Sequence, residues 1–201
     1  MKKIFPFVLQ IGMGALLFAL PAGAQNNSAE NTLRTVCQNC HGPGGDSLSA
    51  TFPRLNGQPA EYIVGQLKAF RSHTRSDPHA MAYMWGMAAQ LDDAAITALG
   101  DFLSKQKPTA PQVGGALAAE GRKIFVDGVE ARNVPACGAC HGDKGEGVGQ
   151  FPRLAGQHAD YLRKQLEDFR SLVRTNEVMH ANTAEMTDHD IEAVVSYLAN
   201  D

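Results

Sequence analysis

Apolar residues recur at helical spacing in two well-separated stretches of this chain. Ile191, Val194, Val195 and Leu198 fall at i, i+3, i+4 and i+7, and Ile96, Leu99 and Leu103 mark a similar face much earlier. Both stretches predict amphipathic helices, with Asp92 or Asp93 and Thr187 or Asp188 as candidate N-caps. A middle pair of helices is predicted after Pro59 and after His158, where Ile63, Leu67 and Phe70, or Leu162, Leu166 and Phe169, share one face. No run of alternating β-branched residues demands a sheet, so the predicted class is all-α.

The two sets of helices belong to one unit written twice. Phe52-Pro53-Arg54-Leu55-Asn56-Gly57-Gln58 recurs as Phe151-Pro152-Arg153-Leu154-Ala155-Gly156-Gln157. Tyr62, Gln66, Leu67, Phe70, Arg71 and Ser72 recur as Tyr161, Gln165, Leu166, Phe169, Arg170 and Ser171. Between the halves, Lys105 to Gly115 carries Pro108, Pro111, Gly114 and Gly115 without apolar periodicity, which reads as a linker too short to let the halves drift apart. The boundaries drawn are 25–107 for the first domain, 108–115 for the linker and 116–201 for the second. Each half has roughly 85 residues, few for a large apolar core unless something else fills it.

The cysteines supply that something. All 4 lie in Cys37-Gln38-Asn39-Cys40-His41 and Cys137-Gly138-Ala139-Cys140-His141, two CxxCH sites. Two thiols can add across the two vinyl groups of one haem, and the following imidazole is placed to bind the iron. A zinc site would need the two pairs close enough to share a metal, and a thioredoxin-like motif would need a βαβ context and no histidine. The cofactor reading is therefore two covalent haem c groups, held by Cys37, Cys40, Cys137 and Cys140, with His41 and His141 as iron ligands.

Residues 1–24 read as an export signal, with Lys2 and Lys3 ahead of an apolar run from Ile4 to Leu20 and Ala22-Gly23-Ala24 as the cleavage site. An uncleaved leader would leave a loose membrane association. Export fits covalent haem attachment, which in bacteria takes place outside the cytoplasmic membrane, and so implies the periplasm. Cleavage takes Lys plus Arg from 18 to 16 against 21 Asp plus Glu. The acidic balance favours a basic docking patch on a partner and gives no support to nucleic-acid binding.

The second axial ligand decides the chemistry. An open position would permit ligand binding or peroxide chemistry, whereas a Met thioether closes the site, raises the potential and suits the iron to electron transfer. Aligned on Asp93-Ala94-Ala95-Ile96 and Asp188-His189-Asp190-Ile191, the upstream methionines that coincide are Met84 and Met179, which are taken as the ligands. Met81, Met87 and Met186 find no methionine in the other half and read as packing. His79 and His180 offer a bis-histidine alternative, and His73, His158 and His189 read as surface residues.

A metal-bound histidine usually donates its other ring N–H to a fixed acceptor, and a proline carbonyl with no competing N–H suits that task. Pro53 and Pro152 are the candidates, with Leu55 and Leu154 packing on the haem faces; that the segment is only a turn into the middle helix stays open. Arg54 and Arg153, and also Arg71, Arg75, Arg170 and Arg174, read either as bidentate partners of haem propionates or as solvated side chains. Tyr62 and Tyr161 read as propionate or inter-haem donors, or as core.

With these motifs in place the chain resembles cytochrome c4, the dihaem branch of the class I c-type cytochromes, over nearly all of its mature length. The resemblance implies two tandem cytochrome c-like haem domains packed together, His/Met ligation of both irons, and a carrier rather than an enzyme. It also implies electron transfer between respiratory partners, from a quinol-cytochrome c reductase or dehydrogenase towards a terminal oxidase. It supports Pro53 and Pro152 as the acceptors for the axial histidines. Two departures stand out: the stretch from Arg75 to Met84 is four residues longer than that from Arg174 to Met179, and the first helix, about Ser28 to Val36, is short. The competing functions are a dihaem subunit of a periplasmic dehydrogenase, of flavocytochrome or alcohol dehydrogenase type, and a dihaem peroxidase, for which the chain is short.

Overall fold

In the computed structural model, which describes residues 29–112 and 114–199, the helices follow the repeat. The export signal (1–24) and the expected helix start at Ser28 lie outside the described residues. Helical structure from residue 29 runs through a π-helical turn, Leu33–Cys37, directly into α1 (Gln38–His41), so the first helix reaches past Val36 to the histidine itself. Then come α2 (Ala60–Arg71), a second π-turn (Ala80–Met84), α3 (Trp85–Ala88) and α4 (Asp93–Ser104). The second half repeats the order with α5 (Ala118–Asp127), α6 (Gly138–His141), α7 (Ala159–Arg170), α8 (Glu177–Thr183) and α9 (Asp188–Leu198). Among the described residues there are isolated bridges but no strand.

The predicted caps resolve to Asp92 and Thr187. Asp92 accepts from the Ala95 N–H, and Thr187 forms a full capping box in which Asp190 returns the bond to the Thr187 amide. The apolar faces bury as their spacing requires. In the first half Leu33, Ile63, Ala98, Leu99 and Leu103 form one cluster, joined by Leu55 and Leu67; in the second, Ile124, Phe125, Leu162, Ile191, Val194, Val195 and Leu198 form another, joined by Leu154 and Leu166. A Cβ on Gly121 would come within 1.8 Å of the Ala193 carbonyl oxygen, so α5 and α9 cross backbone to backbone.

Each half thus has its own apolar core, and the described contacts between halves are largely polar. Gln58 donates to the Arg153 carbonyl at 2.7 Å and accepts from its N–H at 2.9 Å. Gln157 donates to the Arg54 carbonyl at 3.0 Å and accepts from its N–H at 2.8 Å. The linker lies against the glycines of the same repeats. A Cβ on Gly57 would meet Pro108 at 2.6 Å and one on Gly156 would meet the Thr109 carbonyl at 2.0 Å. Thr109 donates to Asp46 at 2.8 Å, and the linker end is tied by the Gln112 N–H to the Ala199 carbonyl at 2.9 Å.

Candidate haem sites

Each CxxCH motif occupies one helical turn, with the first cysteine as N-cap of the short helix and the histidine as its last residue. Positions i, i+3 and i+4 lie on one face of a helix, so both sulfurs and the imidazole are presented to the same side. His41 and His141 are buried. Their Nδ1–H groups donate to the carbonyls of Pro53 at 2.9 Å and Pro152 at 3.0 Å, which fixes the tautomer and leaves Nε2 with a lone pair able to bind a metal. Burial holds both imidazoles below the ordinary histidine pKa, against the raising effect of the proline carbonyls, so the neutral ring that binds a metal is favoured.

Phe52 and Phe151 stand edge-on to those imidazoles, with ring centroids 6.1 and 6.2 Å apart. Sequence reasoning assigned them no role, although their recurrence in the repeat was the available signal. Leu55 and Leu154 are partly buried and pack on the two cores.

The residues fit a covalent haem and do not fit the other uses of a CxxC pair. No disulfide joins the four cysteines. Burial raises the pKa of Cys37, and pushes that of Cys137 up to about 11, the reverse of the depression that makes a redox-active thiol. Among the described residues no three His, Cys, Asp or Glu side chains gather to hold a metal ion.

The candidate methionines differ in setting. Met84 ends the π-turn and is partly buried against Phe70, Ala80 and Ala88. Met179 lies in the first turn of α8, its N–H capped by Asn176 at 2.9 Å. Met186 is in the second core, whereas Met81 and Met87 are about half exposed at 46% and 55%. The longer first-half segment is used by Asp77, which is fully buried, pairs with Arg75 at 2.8 Å and accepts from the Ala80 N–H at 3.2 Å.

The arginines divide into three kinds. Arg54 donates to the Gly156 carbonyl at 2.8 Å and lies 3.3 Å from Asp46, while Arg153 reaches the Thr109 carbonyl at 3.3 Å, so both face the junction and linker. Arg71 clamps the start of α4 through the Leu91 carbonyl and Asp93, and Arg170 clamps α9 through the Met186 carbonyl and Asp188. Arg75 and Arg174 meet between the halves: Arg75 donates to Gln66 at 2.7 Å and Gln165 at 3.2 Å, and Arg174 donates to Gln165 and, at 2.9 Å, to Gln66. Tyr62 joins this group. Burial opposes its ionisation, but the Arg174 and Arg75 guanidiniums outweigh that and lower its pKa.

Among the histidines, His158 departs from its expected surface position. It is only 4% exposed, and its ring bonds the Ser47 carbonyl of the other half at 3.0 Å, because the N-cap of α7 sits in the junction. His73 is exposed and stacks on Trp85 at 3.9 Å, His79 packs on Tyr83, His180 bonds the Phe169 carbonyl at 3.0 Å, and His189 faces Glu120 at 3.1 Å.

Known proteins share this sequence pattern and fold. The family model for cytochrome c matches twice, over residues 29–107 and 118–200. The chain is 33% identical over 208 residues to cytochrome c4 of Azotobacter vinelandii, covering 98% of this chain and 97% of that protein. It is 38% identical over 210 residues to the thiosulfate dehydrogenase electron acceptor of Thiomonas intermedia, covering 99% and 94%. The solved structure of Acidithiobacillus ferrooxidans cytochrome c4 superposes with a TM-score of 0.76 at 43% identity, covering 81% of this chain and 96% of that one.

Proposed function

Because the chain belongs to the cytochrome c family, in its dihaem cytochrome c4 branch, we propose that it is a periplasmic carrier that passes electrons between respiratory partners, towards a terminal oxidase. It carries two covalently bound haem c groups, whose irons supply the one-electron chemistry. The observation that carries the reading is the matched pair of His–Pro units, His41 with Pro53 and His141 with Pro152, joined through a junction built from the same repeats.

The polypeptide's work in this reading is to bind, orient and insulate. Cys37, Cys40, Cys137 and Cys140 fix the haems. His41 and His141 ligate the irons, and Pro53 and Pro152 hold the imidazoles in one tautomer. Met84 and Met179 close the remaining positions, supported by their shared register in the repeat and by the exposure of Met81 and Met87. With both irons closed, substrate chemistry has no entry and electron exchange remains. Residues 1–24 direct export, and no described helix is long and apolar enough to cross a membrane.

A second reading has its own support. The Thiomonas relative is named a thiosulfate dehydrogenase electron acceptor, which favours a periplasmic dehydrogenase as electron donor. Mixing the oxidised protein with such a dehydrogenase and its substrate separates donor from bystander, because only a true acceptor is reduced at substrate-dependent rate.

Absorption and magnetic spectroscopy of the holoprotein test the ligand set. Two low-spin irons, both with the weak red charge-transfer band of ferric iron bound to Met sulfur, are expected; a high-spin iron that binds cyanide readily would overturn the carrier. Met84→Ala should open the first iron alone and Met179→Ala the second alone. If Met81→Ala opens the first iron instead, the ligand register in that half is wrong.

A further inference from the structure

The hydrogen bonds that join the halves run through the same peptide groups that orient the axial histidines. In the first half, the carbonyl of Pro53 accepts from His41 Nδ1 at 2.9 Å. The N–H of that same peptide unit belongs to Arg54, and it donates to Oε1 of Gln157, in the other half, at 2.8 Å. In the second half, the Pro152 carbonyl accepts from His141 Nδ1 at 3.0 Å, and the N–H of its peptide unit, on Arg153, donates to Oε1 of Gln58 at 2.9 Å. Each axial histidine is thus the first member of a two-bond chain that ends on a glutamine of the opposite half. Both glutamines are only 5% exposed, and each also donates back to the carbonyl of the arginine it clamps. Gln157 Oε1 accepts in addition from the His158 N–H at 3.2 Å.

We propose that Gln58 and Gln157 are positioning residues that act in trans, each tuning the axial histidine of the other half through one peptide group. The inference rests on His41 and His141 being the axial ligands. A peptide whose N–H donates to a buried acceptor carries more negative charge on its carbonyl oxygen, because hydrogen bonds in series polarise one another. A more negative Pro53 oxygen draws the Nδ1 proton of His41 more strongly, which makes the ring a better electron donor and favours the ferric iron. Gln157 therefore stabilises the oxidised state of the first iron, and Gln58 that of the second. The junction is a mutual adjustment of two irons as well as a structural joint. An interface whose bonds ended on peptides remote from the histidines would hold the halves together without this effect.

The test is a redox titration of holo Gln157→Met followed by proton magnetic resonance, with each haem's signals assigned through its thioether links to Cys37 and Cys40 or to Cys137 and Cys140. Methionine keeps the length of glutamine and removes its amide's hydrogen bonds to Arg54 and His158. At a fixed solution potential near the midpoint, the reduced-to-oxidised ratio of the first iron is expected to rise by about threefold, with the second iron nearly unchanged. The His41 Nδ1–H resonance should move and the His141 one should not. Gln58→Met should give the reciprocal pattern, and serves alone if Gln157→Met does not fold. Gln157→Glu, which keeps the acceptor for the Arg54 N–H, should not raise the first iron's ratio. A shift confined to the iron in the substituted half, equal shifts of both irons, or no shift in a folded variant would overturn the proposal. Failure of the underlying ligand assignment would show separately, as wild-type protein whose irons are not both low-spin and histidine-bound.

Discussion

Asp77 and Asp190 are carboxylates buried almost completely, and each is kept ionised by its neighbours. Burial pushes both towards protonation. For Asp77 this is outweighed by Arg75, the Ala80 N–H and Arg174; for Asp190 by the Thr187 hydroxyl and amide and by Arg132. Both pKa values therefore lie below the unfolded carboxylate value of about 3.9. Groups depressed in the folded state bind protons first in the unfolded one, so their contribution is present above that value and is lost as pH falls through the folded pKa. Unfolding free energies measured from about pH 6 down to pH 2 should fall less steeply with acid in Asp77→Asn and Asp190→Asn than in the wild type. Equal slopes would show that these carboxylates do not govern acid stability. Asp77 has no carboxylate counterpart in the repeat, where Asn176 caps instead, so its effect belongs to the first half.

The same division between repeated and unrepeated detail holds for the elements. Helices α4 and α9 occupy equivalent places and bury equivalent faces, yet α4 begins on a lone Asp92 cap and α9 on the reciprocal Thr187–Asp190 box. Asp92→Ala should cost about 1 kcal/mol, within the usual range for losing an N-cap. Thr187→Ala should cost about 1–2 kcal/mol, since it also removes one of the bonds that keep the buried Asp190 satisfied. Chemical denaturation of the holoprotein checks both, and a larger loss from Asp92→Ala would refute the ordering. The helix faces and caps were legible in the chain because they depend on neighbours within one or two turns. The roles of Arg71 and Arg170 were not, because their carbonyl and carboxylate partners come from the starts of α4 and α9, 16 to 22 residues further on.

For the whole molecule, the governing quantities are charge and the joint between halves. The formal charge is −3, and cleavage of the proposed export signal would remove Lys2 and Lys3 and make it more negative. Association with a positively charged redox partner should therefore slow as salt is added, because exposed charges are screened over about 8–10 Å at 0.1–0.15 M. Stopped-flow reduction or oxidation across an ionic-strength series measures this; a rate that rises with salt would point to an acidic partner face. The joint is polar and strapped by the linker, so the halves are expected to act as one body during such encounters.

The chain by itself determined two haems and a duplicated all-α design, and proposed His41 and His141 as the iron ligands, because covalent attachment and helical periodicity are written in residues at most a few positions apart. It also pointed to Pro53 and Pro152 as acceptors for the two histidines, and left the arginines of the same repeats open between propionate partners and solvated side chains. Only the tertiary structure decided that Phe52 and Phe151 stand against the imidazoles, that His158 is buried in the junction, and that Gln58 and Gln157 cross to the opposite half. Those facts depend on which surface of one half meets the other. A repeat shows that two units are alike, but their mutual orientation comes from hydrogen bonds between residues 90 to 111 positions apart. No local pattern encodes such a pairing, since either partner alone would be as well satisfied by water.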